Sequence, residues 1–250
     1  MTSVTPTLLR GDEADLPPAV RDALPTEDAG YALARPTAAG WARAITHHGR
    51  RRLLEFGAGA SSRVAAAALA HVGGGRLTTV EQDPDWCAGL WDAVLAADTI
   101  DADMIVAQRP SPRLNVHGLM HGYFDAAPAI ADRGPYDAVL IDAPQGCYGR
   151  DACLWLALPH LTPGALVILD DAGRWKERLT LDRWRRALPS AEIVEHDTAI
   201  GLSGAAVLRI NDPTDVSPAL LGAASATLLF GVNAIARWRQ PEQAALPAAA

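Results

Sequence analysis

The chain has 250 residues, 49% of them apolar and 20% charged, which suits one large α/β domain and excludes wholesale disorder. Its 22 basic against 29 acidic residues leave a net charge of −7, which argues against a protein that grips nucleic acid through a cationic face. Cys87, Cys147 and Cys153 lack CxxC spacing, and residues 1–20 carry acids and prolines where a signal peptide needs an apolar run, so free thiols and a cytoplasmic location are expected.

In chain order, residues 1–30 lack a sustained period and read as an arm or loose cap. A helix is predicted over 31–48 from Leu33, Trp41, Ala44 and Ile45, with an early break at Pro36. Short apolar runs then alternate with helical ones. Strands are predicted over 52–56, 77–81 and 103–107, with helices over 62–70 and 85–97 between them. The near-continuous apolar run 136–142 is a fourth strand, of the kind covered on both faces. A helix over 151–158, a fifth strand over 165–169, a helix over 179–188 and strands over 192–195 and 205–210 follow. The alternation predicts an α/β fold with a doubly wound, mostly parallel sheet. The chain divides into an N-terminal arm and cap helix (1–45), a central domain (46–212) and a C-terminal segment (213–250).

Within that last segment, residues 216–236 carry no formal charge. Leu221, Ala224, Leu228, Val232 and Ile235 recur on one helical face, while Pro218, Gly222, Gly231 and Asn233 dilute the run. The pattern favours a helix docked on the domain or on a second copy, hence a homodimer, over a membrane anchor.

The stretch "LLEFGAGASS" ends the first predicted strand and opens a helix. Gly57 and Gly59 there let the backbone approach a ligand closely. A GxG turn alone is weak evidence, because such turns need glycine for structural reasons too. Glu55, two residues earlier, would repel a phosphate but would suit a ligand's ammonium group. Glu81 ends the second strand, where a carboxylate can accept both hydroxyls of a ribose. A nucleoside carrying an amino acid meets both demands, and S-adenosylmethionine is such a molecule. Trp86 either borders its adenine or packs in the core.

Together, "LLEFGAGASS", "LTTVEQDPDW", "YDAVLIDAPQG" and "LTPGALVILDDAGR" resemble the successive strand-end motifs of class I S-adenosylmethionine-dependent methyltransferases over roughly residues 40–210. The resemblance implies a Rossmann-like, seven-stranded sheet whose last strand, 205–210, is antiparallel. It implies methionine-part contacts from Glu55, Gly57 and Gly59 and a ribose contact from Glu81. Ser61, Gln82 and Asp142 complete the expected cofactor-binding set.

Asp142 ends the fourth predicted strand, and Asp170 and Asp171 end the fifth. Adjacent parallel strands bring the three carboxylates to one sheet edge. No lysine lies nearby and no cationic partner stands in the same motifs, so mutual repulsion would be relieved by a hard divalent cation. The arrangement is similar to that of metal-dependent O-methyltransferases of the catechol and sugar types. That similarity implies Asp142, Asp170 and Asp171 as ligands of magnesium or another divalent cation. The alternative is that Asp171 caps a helix while Asp142 bonds the methionine ammonium.

Asp142 and Arg174 are the expected catalytic residues, with Asp142 accepting a proton. Arg174 and Arg150 bind an acceptor carboxylate or are surface charges. His117 and His121 either share a helical face or lie in a loop.

The implied reaction is O-methylation of a hydroxyl on a small molecule or sugar, of the natural-product type. N-methylation, metal-independent methylation and a non-catalytic cofactor-binding scaffold are the alternatives. A nicotinamide-dependent oxidoreductase would want a third glycine where Ser62 stands. An aminopropyl transferase would want a deeper acidic channel.

Overall fold

A computed structural model describes residues 7–26, 33–115, 118–144, 150–198 and 204–217. The expected tail stripe from Leu221 onward lies outside the described residues, as do His117, Gln145, Cys147 and residues 201–203.

The strands, in chain order, are β1 (Arg52–Phe56), β2 (Gly75–Glu81), β3 (Ile100–Val106), β4 (Ser111–Asn115) and β5 (Gly118–Gly122). β6 (Tyr136–Ile141), β7 (Leu161–Asp170), β8 (Ala191–Asp197) and β9 (Ala205–Ile210) follow. The helices are α1 (Pro18–Ala23), α2 (Arg35–Thr46), α3 (Ala60–His71), α4 (Ala88–Leu95), α5 (Ala127–Arg133), α6 (Asp151–Ala157) and α7 (Trp175–Ala187). Seven strands form one sheet in the order β3-β2-β1-β6-β7-β9-β8. Strands β3, β2, β1, β6 and β7 are parallel, and β9 runs antiparallel to both β7 and β8. The chain therefore has the expected doubly wound α/β architecture, including the antiparallel last strand.

Successive residues of the central strands supply opposite faces, as the two-residue strand period requires. Leu53, Leu77, Leu140 and Ile168 pack with α2 and α3 on one side. Leu54, Val139, Ile141 and Val167 pack with α6 and α7 on the other. This two-sided burial is why β6 and β7 read as almost unbroken apolar runs.

Three local expectations are corrected. Pro36 does not break a helix; it sits in the first turn of α2, where its missing N–H has no intrahelical partner to lose. Residues 7–26 are not loose. Leu8, Leu9, Leu16, Val20 and Leu24 are buried in the core, each contributing about 1.5–3 kcal/mol before entropy is subtracted. The N–H groups of Leu8 and Leu9 donate to the Glu195 carboxylate on β8, which ties this segment to the sheet. Finally, the segment around His121 is strand, not helix. β4 and β5 form an antiparallel pair with Pro112 opposite His121. A Cβ on Gly122 would meet that of Ala152 at 2.5 Å, so glycine lets β5 close onto α6. Among the described residues no helix is long and apolar enough to cross a membrane.

Candidate active site

The C-terminal ends of β1, β2, β6 and β7 share one edge of the sheet, because Phe56 pairs with Val80 on one side and Ile141 on the other. Connections from β1 and β6 leave in opposite directions, and open α/β sheets bind ligands at such a switch point. A cavity of about 590 Å³ lies there.

Its floor is the turn from β1 to α3. Gly57 has φ +97°, and a Cβ on it would lie 2.9 Å from that of Ala143, so glycine is required for both conformation and space. Gly59 faces open space, and its lack of a side chain keeps the cavity clear.

Glu55 does not line this cavity. It is fully buried beneath the turn, accepting hydrogen bonds from Ser62 Oγ at 2.6 Å and Thr79 Oγ1 at 3.0 Å. Burial pushes its pKa up to about 7 despite the surrounding hydroxyls.

Glu81 lines the cavity wall, as do Ser61 and Gln82. The Glu81 carboxylate accepts the N–H of Ala58 on Oε2 at 2.8 Å, and those of Gln82 and Asp83 on Oε1 at 2.7 and 2.8 Å. Three of about four lone-pair sites are thus occupied, leaving Oε2 able to accept once more. Trp86 is 65% exposed and lines the same cavity, so it is not a core residue.

The structure adds residues that the motifs did not indicate. Arg63, in the first turns of α3, is the one cation among the described residues lining the cavity. Its Nε and Nη2 donate to the Ala23 carbonyl at 3.3 and 3.0 Å, fastening the N-terminal segment beside the mouth, where Pro25, Thr26 and Leu33 complete the wall. Tyr123 also lines it, buried and stacked on Phe56 with centroids 6.5 Å apart. Burial holds the Tyr123 pKa above its ordinary range. Arg63 stands only four residues beyond Gly59, a signal that was available; Tyr123 follows an unpredicted hairpin and gave none.

Asp142, Asp170 and Asp171 do converge. One carboxylate oxygen from each lies within 4.8 Å of the others. Asp171 adopts φ 60°, a left-handed conformation costly for a residue with a Cβ and best tolerated by Asn or Asp.

The expectation that the cluster lacks a cationic partner is wrong. Arg150 is only 2% exposed and reaches all three carboxylates, with Nη2 at 2.9 Å from Asp142 Oδ1 and 2.6 Å from Asp171 Oδ2, and Nη1 at 3.6 Å from Asp170 Oδ2. It is neither a surface charge nor open to an acceptor. Arg174 adds a second pair, Nη1 to Asp171 Oδ2 at 2.8 Å, from a half-exposed position. Burial raises the pKa of Asp142, Asp170 and Glu177 while Arg150 opposes the rise. Burial also works against the charge of Arg150, but the three aspartates outweigh it and raise its pKa.

Residues 54–172 match a family model described as a methyltransferase domain. Among solved structures, the chain is similar to the O-methyltransferase TomG from Streptomyces achromogenes, involved in tomaymycin synthesis and bound to S-adenosylmethionine. That match has 18% identity, covers 78% of this chain and 91% of that one, and has a TM-score of 0.54. An O-methyltransferase from Bacillus cereus in complex with S-adenosylhomocysteine matches at 16% identity, 77% and 90% coverage, and a TM-score of 0.52. The S-adenosylhomocysteine-bound methyltransferase PaMTH1 from Podospora anserina matches at 14% identity, 79% and 89% coverage, and a TM-score of 0.53. At these identities the likeness is one of fold. No curated protein matches the sequence.

Proposed function

We propose that this chain, whose residues 54–172 match a methyltransferase domain and whose fold is like that of S-adenosylmethionine-bound methyltransferases, O-methylates a hydroxyl on a small molecule or sugar, of the natural-product type, assisted by a divalent cation. The observation that carries this reading is the position of Asp142. It lines the cofactor cavity and also belongs to the carboxylate cluster, so methyl donor and acceptor meet at one residue.

In this reading Glu81 receives a ribose hydroxyl on the open site of Oε2, and Gly57 and Gly59 allow close approach of the methionine part, with Ser61 and Gln82 beside them. Arg63 pairs with the methionine carboxylate, as opposite charges favour. Glu55 acts from below, by holding the turn. S-adenosylmethionine bound here supplies an electrophilic sulfonium methyl and departs as S-adenosylhomocysteine. The chain therefore needs chiefly to align acceptor oxygen, carbon and sulfur, and to remove a proton. Asp142 accepts the hydroxyl proton as the new O–C bond forms and the C–S bond breaks. Arg174, half-exposed beside Asp171, is placed to orient an anionic acceptor group.

The donor set fits a hard divalent ion. Asp142, Asp170 and Asp171 offer only oxygen, and with buried Glu177 they outnumber the charges of Arg150 and Arg174. An ion held by the three aspartates would lower the pKa of a nearby hydroxyl. The direct pairing of Arg150 with this cluster supports a second reading, in which the same transfer proceeds without metal and Asp142 is a plain base.

The test is a panel of catechols, sugars and uronic acids incubated with the protein and S-adenosylmethionine, with and without Mg²⁺ or chelator. Methylated product that requires added metal is the expected result. Full turnover after chelation selects the metal-free reading. Cofactor binding with no hydroxyl acceptor methylated refutes O-methylation.

A further inference from the structure

Arg150 occupies a place where a second cation would be in direct conflict with it. It caps the start of α6, and its carbonyl accepts the Cys153 N–H at 3.2 Å, so its backbone is fixed while its guanidinium reaches inward. Nη2 lies 2.6 Å from Asp171 Oδ2 and 2.9 Å from Asp142 Oδ1. A hard divalent ion would need oxygens at about 2.0–2.6 Å and would meet the guanidinium charge a few ångströms away, with little water to screen the repulsion.

A second buried carboxylate interacts electrostatically with that guanidinium. Glu177, on the first turn of α7, is 4% exposed, and its Oε2 is buried without a hydrogen-bond partner. Nη1 of Arg150 is likewise buried and without one. An unpaired carboxylate oxygen in such surroundings is costly, and a guanidinium N–H brought to it would offset that cost. Glu177 lies within electrostatic reach of Arg150 and Asp171.

We propose that Arg150 and a divalent ion compete for Asp142, Asp170 and Asp171, and that Glu177 receives the Arg150 guanidinium when the ion takes the aspartates. This rests on the metal-assisted reading above. Arg150 is then a positioning residue, the resident counter-charge that keeps the carboxylates together when the ion is away. It also sets how tightly that ion is held.

Mn²⁺ titrated into metal-free, full-length protein, followed by calorimetry and by the electron paramagnetic resonance signal of the free ion, tests the exchange without reference to turnover. Arg150→Gln should bind Mn²⁺ about tenfold or more tightly than the natural chain, the scale on which groups just outside a metal's ligand set act. Glu177→Gln should bind it more weakly, because the displaced guanidinium then meets a neutral amide oxygen in place of a carboxylate. In the Arg150→Gln background, Glu177→Gln should have no further effect. Equal or weaker Mn²⁺ binding by Arg150→Gln, with clear binding by the natural chain, overturns the exchange and leaves the metal site standing. Absence of Mn²⁺ binding in both overturns the exchange and the metal-assisted reading together. Should Arg150→Gln fail to fold, Glu177→Gln carries the test alone: weaker binding supports the exchange, and unchanged binding refutes it.

Discussion

The Ser62 hydroxyl donates to Glu55 Oε2 at 2.6 Å and accepts the Gly59 N–H at 3.1 Å, so a buried acid in the sheet holds the glycine turn through one side chain. Ser62→Ala should remove both bonds. The Gly59 N–H loses its acceptor at the head of α3, and Glu55 loses its shortest hydrogen bond. The expected cost is about 1–3 kcal/mol of folding stability, the scale for leaving buried polar groups unpaired. Urea unfolding measures the cost, and a weaker affinity for S-adenosylhomocysteine should accompany it. Equal stability would mean that the turn is held by other contacts.

The raised pKa of Glu55 has a pH signature. Burial lifts it from 4.5 to about 7, so between those values the folded protein keeps a proton that the unfolded chain has released. Folding stability from this group is therefore fully present below the unfolded pKa and is lost as pH rises through the folded one. At about 1.4 kcal/mol per unit the loss amounts to about 3 kcal/mol. Glu55→Gln cannot ionise and should remove this component. The ligand-free natural chain should lose more stability between about pH 5 and about pH 8 than the variant does, and parallel curves would contradict the assignment.

Local signals carried most of the fold. The predicted bounds of β1 and β9 match the structure because apolar runs covered on both faces stand out without knowledge of neighbours. Glu81 was legible as a strand-end acid, and Asp142, Asp170 and Asp171 as a converging set, since parallel strands align their ends. Arg150 was not legible as their partner. It lies 21 residues before Asp171 in sequence, and only the return of α6 to the sheet brings the two together. The β4–β5 hairpin was missed because Gly118, Gly122 and Pro112 blur its alternation. The buried leucines of residues 7–26 had no helical or strand period to announce them.

Glu81 combines a ligand contact with a structural one. Its carboxylate orders the N–H groups of Ala58, Gln82 and Asp83 around the cavity and keeps one acceptor site open on Oε2. Glu81→Ala should weaken S-adenosylhomocysteine binding by about 1.5–3 kcal/mol, the scale of a hydrogen bond to a charged group. Isothermal calorimetry would show this directly, and an unchanged affinity would count against the ribose assignment.

Arg63 offers a sharper discrimination, because its proposed partner can be removed from the ligand instead of from the protein. S-adenosylhomocysteine carries the amino-acid carboxylate, whereas 5′-methylthioadenosine keeps the nucleoside and lacks that group. The cavity wall holds Glu81, Asp83 and Asp142 as acids and Arg63 as the one cation among its described residues, so an anionic ligand group has a single oppositely charged side chain to meet. Arg63→Gln should therefore weaken S-adenosylhomocysteine by about 1.5–3 kcal/mol, roughly ten- to a hundredfold, while leaving 5′-methylthioadenosine within about twofold. Arg63 also donates to the Ala23 carbonyl, so a purely structural role is the competing explanation. Loosening the N-terminal segment would uncover the whole cavity mouth and weaken both ligands together. Equal losses for the two compounds would thus reduce Arg63 to a fastener of that segment, and a loss confined to the carboxylate-bearing ligand would establish the pairing.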